Sequence, residues 1–95
     1  MQVGFTTHAR ERFEQRMNIQ INPDFKVELD DNFELVYATR HTESNNRIQT
    51  WIWPDAKKPV VLTVDVDNMC IITVMTSGPV VEKAYNTPKK HRVYG

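Results

Sequence analysis

The sequence predicts an α+β domain in which an N-terminal helix and a short second helix pack on a four-stranded antiparallel sheet. Three observations predict it. Ala9, Phe13 and Met17 recur at every fourth position, the spacing of one helix face. Val60–Val66 and Cys70–Thr76 are rich in β-branched residues and flank a turn centred on Asp67-Asn68, which reads as a hairpin. Two further runs, Phe33–Arg40 and Ile48–Trp53, alternate with period two.

Taken in order, the first helix spans about Thr7–Asn18. A hydroxyl of Thr6 or Thr7 caps it, and Phe5 stands ahead of the cap as its apolar partner. Asn22-Pro23 reads as a second N-cap followed by proline at the first helical position, so a short helix to Leu29 is expected, with Phe25 and Leu29 buried. The first strand places Phe33, Leu35, Tyr37 and Thr39 on one face. The second sets Ile48, Thr50 and Ile52 opposite Gln49, Trp51 and Trp53. Pro54–Pro59 is a loop, and Ser77-Gly78-Pro79 ends the sheet. Val80–Tyr85 adds a short element, and residues 86–95 read as a flexible basic tail.

Ninety-five residues are enough for one core, so residues 1–95 are expected to form a single domain. No apolar run approaches the roughly 20 residues that span a bilayer. The start, Met-Gln-Val-Gly-Phe-Thr-Thr-His, lacks the basic and apolar regions of a signal peptide. Cys70 is the only cysteine, which excludes an intrachain disulfide. These features predict a cytoplasmic protein with no membrane partner.

The net charge is zero, but it is unevenly spread. Five acids and one base lie between Asp24 and Glu34, whereas four bases and no acid follow from Lys83 onward. A zero total argues against non-specific coating of nucleic acid and leaves room for a local basic cleft.

The sharpest feature is the set His8, Arg12 and Arg16, at i, i+4 and i+8. This spacing puts them along one helix edge, beside the apolar stripe. Two guanidiniums and an imidazole can hold a phosphate and move a proton near neutral pH. The bland alternative is a charged edge paired with Glu11, Glu14 or sheet carboxylates. Trp51 and Trp53 share a strand face and are candidates for stacking bases; the alternative is a core role. Turn chemistry explains Asp65 and Asp67 better than a metal does. Three histidines and one cysteine lack zinc-ligand spacing, so no metal or other cofactor is expected. Cys70 reads as a small buried hydrophobe.

The run His-Ala-x-x-Arg-x-x-x-Arg-Met-x-Ile, from His8 to Ile19, resembles the start of a family of small bacterial and phage domains. That family is related to the RelE/ParE-like toxins, within the barnase–EndoU–RelE-like ribonuclease superfamily. Two departures stand out: Met17 replaces the family's usual glycine, and Asn18 adds a residue before Ile19. The resemblance implies a RelE-like fold over about Phe5–Thr76 and metal-independent cleavage of RNA by 2′-hydroxyl attack, as in a toxin or a processing endoribonuclease. It implies His8 as base or acid, Arg12 and Arg16 on the phosphate, and His41, with Arg40 beside it, as the second acid–base group. Thr73 or Thr76 would orient the substrate, and Tyr85 or Tyr94 would supply a phenol. The partners implied are RNA, on or off the ribosome, and an antitoxin. The competing expectation is a non-catalytic phage or bacterial inhibitor that binds a protein partner. Zero net charge, the acidic segment and an incomplete catalytic set favour it.

Overall fold

A computed structural model of the chain describes residues 1–30, 33–53 and 59–88. The element order is β1 (Gln2–Phe5), α1 (Thr7–Met17), β2 (Val27–Glu28), β3 (Glu34–Arg40), β4 (Arg47–Ile52), β5 (Val61–Asp65), β6 (Cys70–Met75) and α2 (Pro79–Asn86). The strands form one sheet in the order β2-β1-β6-β5-β4-β3. All neighbouring strands are antiparallel except β1 and β6, which run parallel. The architecture is α+β, but the expected four-stranded antiparallel sheet is corrected to a mixed sheet of six strands.

Two local effects account for the correction. Gln2–Phe5 is too short, and holds too central a glycine, to announce itself as a strand. It nevertheless bonds on both edges, with Gly4 N–H donating to Met69 O (3.1 Å) and Thr6 N–H to Ile71 O (3.0 Å) on the β6 side. Val3 is fully buried. The expected second helix does not form. Asn22 Oδ1 instead accepts from Asp24 N–H (2.8 Å), an Asx turn, and Phe25 N–H closes on Asn22 O. The chain then extends, Val27 pairs with Val3, and Leu29 N–H donates to Met1 O. Burial therefore follows period two, on Val27 and Leu29, and Phe25 is left 44% exposed.

The two helices lie on opposite faces. Ala9 and Phe13 of α1 pack with Val3, Leu35, Trp51, Leu62, Val64, Ile71 and Val74. Val81 and Ala84 of α2 pack with Val36, Ile52 and Val61 on the other face. Strand β5 is covered on both sides, which is why Val61, Leu62 and Val64 are all apolar and fully buried. The 80–85 element is helical because Pro79 supplies a ready φ at its first position and Gly78 adopts φ 103° before it.

Two bulges redirect side chains. In β6, Ile71 faces Val64 and Thr73 faces Thr63, so Ile72 is the extra residue. Ile71 and Val74, three apart, consequently share the α1 face. In β3, Leu35 faces Trp51 and Tyr37 faces Thr50, so Val36 is extra. Leu35 thus joins the α1 core, while Val36 and Tyr37 join the α2 core. The single expected face of Phe33, Leu35, Tyr37 and Thr39 is divided at this point.

Candidate functional site

Helix α1 is fixed at both ends. Thr6 Oγ1 accepts from Ala9 N–H (3.1 Å), and Asn18 closes the C-terminus with φ 54°. Glu14 Oε2 accepts from Ile21 N–H (3.0 Å) and so ties down the exit of the helix. Ala9 and Phe13 are buried and Met17 is half-buried against the core, as their spacing predicts. His8 and Arg12 are exposed on the neighbouring edge and Arg16 is half-buried. The Met1–Glu28 and Arg47–Asp67 ion pairs involve neither His8 nor Arg12.

Arg16 is the member of the set that reaches the sheet. Its Nη1 donates to Thr76 Oγ1 at 3.2 Å, joining α1 to the residue just after β6 across 60 positions of sequence. The Thr76 hydroxyl thereby fixes the position of the Arg16 guanidinium against the end of β6.

The remaining candidates lie elsewhere. Arg40 and His41 sit at the end of β3, three strands from β6, or about 14 Å at ordinary strand spacing. His41 is built into its turn: Nδ1 accepts from Glu43 and Ser44 N–H, both at 3.3 Å. Arg40 donates to Asn45 O at 3.1 Å. Thr73 pairs with Thr63 on the α2 face, and Tyr85 of α2 is 41% exposed, so both lie across the sheet from His8. Trp51 is buried, with its indole N–H donating to Gln49 Oε1 (3.0 Å). Trp53 stacks on Phe13 at 5.7 Å and touches Phe33 at 5.4 Å. Both tryptophans therefore serve the core. Tyr94 and the Lys89-Lys90-His91-Arg92 run lie outside the described residues.

A polar knot joins the β3–β4 and β5–β6 turns. Asp65 Oδ2 accepts from Asn46 Nδ2 (3.0 Å) and Asn68 Nδ2 (2.8 Å), while Oδ1 accepts from Asn68 N–H (3.0 Å). Desolvation pushes its carboxyl up, but these hydrogen bonds together outweigh it and hold the carboxyl below the ordinary 3.8. Asp67 is also lowered, chiefly by the Arg47 backbone N–H (2.7 Å) and then by the Arg47 side chain (3.0 Å). Both aspartates are turn residues here. Burial, with the Asp65 charge adding to it, pushes the half-buried Cys70 thiol up, away from thiolate chemistry.

Arg47 was not singled out by motif, yet it faces Arg40 directly across β3 and β4. The signal was available. The two arginines immediately flank the polar turn His41–Asn46, so a hairpin closed by the His41–Asn46 backbone pair sets them opposite each other.

Among the described residues, no group of three or more His, Cys, Asp or Glu is placed to hold a metal ion, and no helix is long and apolar enough to cross a membrane. No protein-family model matches the chain, and no curated protein or solved structure is significantly similar to it.

Proposed function

We propose that this chain is a small metal-independent endoribonuclease, a toxin or RNA-processing enzyme, acting at the outer edge of α1. The observation that carries the reading is the Arg16–Thr76 hydrogen bond. It anchors a guanidinium at one end of a helix edge whose other members, His8 and Arg12, are exposed to solvent. A phosphodiester lying along this edge meets two cationic forks and an imidazole one helical turn apart.

The chemistry needs only these groups. The His8 imidazole accepts the proton of the 2′-hydroxyl as O2′ bonds to phosphorus. The P–O5′ bond breaks, and the leaving 5′-oxygen takes a proton from water. Arg12 and Arg16 stabilise the charge that builds on the non-bridging oxygens. The products are a 2′,3′-cyclic phosphate and a 5′-hydroxyl. DNA lacks the attacking hydroxyl and resists.

The test is cleavage of RNA, free and on translating ribosomes, in EDTA with mapping of the new ends. Wild type is expected to leave cyclic or 3′-phosphate ends. His8→Ala should lower the rate by roughly 10²–10⁴, the range for a general acid or base. Wild type that leaves both substrates intact overturns the proposal.

One observation favours a second reading, a non-catalytic protein that binds a protein partner. Ile19 and Phe25 are 48% and 44% exposed on the segment after α1, with Phe25 stacked on Phe5 at 6.3 Å. Under that reading, pull-down recovers one stoichiometric partner, and Phe25→Ser releases it.

A further inference from the structure

We infer that the hollow between Arg40, Arg47 and Gln49 is a second oxyanion site, built to take a phosphate group at the far end of the α1 face. The hollow encloses about 330 Å³ and is lined by Ala38, Thr39, Arg40, Arg47 and Gln49. The register pairs Ala38 with Gln49 and Arg40 with Arg47, so these four side chains share one face of the β3–β4 ribbon. It is the face that carries Trp51 and α1.

Three features point to an anion. First, Arg40 and Arg47 are directly paired across the ribbon, two like charges of which Asp67 offsets one, so the pair carries a net positive charge that an anion would relieve. Second, each retains donors: Arg40 commits Nη1 to Asn45 O, and Arg47 commits Nε to Asp67. The Asp67 contact also fixes the Arg47 stem, since Asp67 grips its backbone N–H as well. Third, the orientation of Gln49 is dictated chemically. An indole N–H is only a donor, so the atom it meets at 3.0 Å must be the amide oxygen. The Gln49 –NH₂ is thereby left on the side away from Trp51, as a third donor beside the two arginines. With Ala38 in place of a larger side chain, the floor is open. Arg40, Arg47 and Gln49 all line the hollow, and Asp67, which is not among its lining residues, engages Arg47 through Nε and the backbone N–H.

The ligand chemistry is a phosphate oxyanion, free or carried on an RNA backbone. The backbone source rests on the function proposed above; the site itself does not. The Trp51 indole N–H, bonded to the same amide, is a built-in reporter. Its ¹H–¹⁵N resonance is followed while the full chain is titrated with inorganic phosphate or with a short 2′-deoxy-blocked RNA oligonucleotide.

A saturable shift in the Trp51 resonance with inorganic phosphate is expected. Gln49→Glu keeps an oxygen for the indole N–H but replaces the outward donor with negative charge. It should weaken binding by roughly tenfold or more, as a like charge at contact does even in a high-dielectric setting. Arg40→Gln should reduce the salt dependence of oligonucleotide binding by about one phosphate contact. Tighter binding of the oligonucleotide assigns the site to RNA, and a response to phosphate alone assigns it to the free ion. No saturable shift with either probe overturns the proposal, as does Gln49→Glu binding like wild type. His8→Ala separates the two ideas: it should abolish cleavage and leave the Trp51 titration unchanged. A chain that titrates normally but never cleaves keeps this site and rejects the nuclease.

Discussion

Replacing Ile71, Ile72 and Val74 with alanine, one at a time, tests the β6 bulge. In a regular strand Ile72 and Val74 share a face and Ile71 takes the other. The bulge instead puts Ile71 and Val74 together on the α1 side, fully or almost fully buried, and leaves Ile72 half-exposed. Ile71→Ala removes three carbons from a packed site and should cost about 3 kcal/mol. Val74→Ala removes two, worth about 0.8 kcal/mol each in transfer, and with the residual cavity should cost about 2–2.5 kcal/mol. Ile72→Ala loses only partial burial and should cost about 1 kcal/mol. Urea unfolding at constant m-value reads these differences directly. At this chain length each kcal/mol corresponds to about 4–8 °C in Tm, so Ile71→Ala and Ile72→Ala should be separated by about 8–16 °C. An Ile72→Ala loss equal to that of Ile71→Ala would refute the register and the division of the core between the two helices.

Asp65 and Asp67 both titrate below the ordinary carboxylate value in the folded chain, so the unfolded chain binds protons first as pH falls. Their stabilisation is complete above the unfolded pKa near 4 and is lost as pH drops through the folded values. Urea midpoints between about pH 2.5 and 6 should fall with acid in wild type and less steeply in Asp65→Asn; parallel profiles would remove the turn knot as the cause. Thr76→Val deletes the acceptor of Arg16 while keeping the side-chain shape, and should weaken binding of an uncleavable RNA by about 2–10-fold with little change in Tm. Unchanged affinity would detach Thr76 from the proposed site.

What the sequence disclosed, and what it concealed, follows from the range over which each signal acts. Ala9, Phe13 and Met17 announce α1 because helical packing repeats locally. The β5–β6 hairpin is legible because two β-branched runs meet at a short turn. Strand β1 was hidden because its stability comes from partners 24 and 66 residues away, with Val3 against Val27 and Gly4 against Cys70. The Asn22-Pro23 signal was ambiguous in kind. The same residues begin a helix or close an Asx turn, and a waiting edge of β1 decided for the turn. Both bulges break period two, which no reading of alternation alone can locate. For the site, spacing put His8, Arg12 and Arg16 on one edge, but the Arg16–Thr76 contact and the Arg40–Arg47 pairing depend on tertiary register.

The separation of His8 from His41 constrains the proposed chemistry. Proton transfer requires a catalytic group within about 2.6–3.2 Å of the reacting oxygen, or one water further. His8 lies on α1, which packs over β1 and β6, while His41 lies beyond β3 at the opposite edge, with Nδ1 already accepting two backbone N–H groups. Three strand spacings, about 14 Å, exceed the reach of two imidazoles toward one phosphate. The sheet itself separates His8 from Tyr85. Among the described residues this geometry offers one imidazole to the phosphate, so the 5′-oxygen leaves with a solvent proton and the arginines carry the charge stabilisation. Charge stabilisation of that kind depends on guanidinium geometry. Replacing Arg16 with lysine, which keeps the charge but loses the fork, should therefore damage turnover nearly as much as replacing it with alanine.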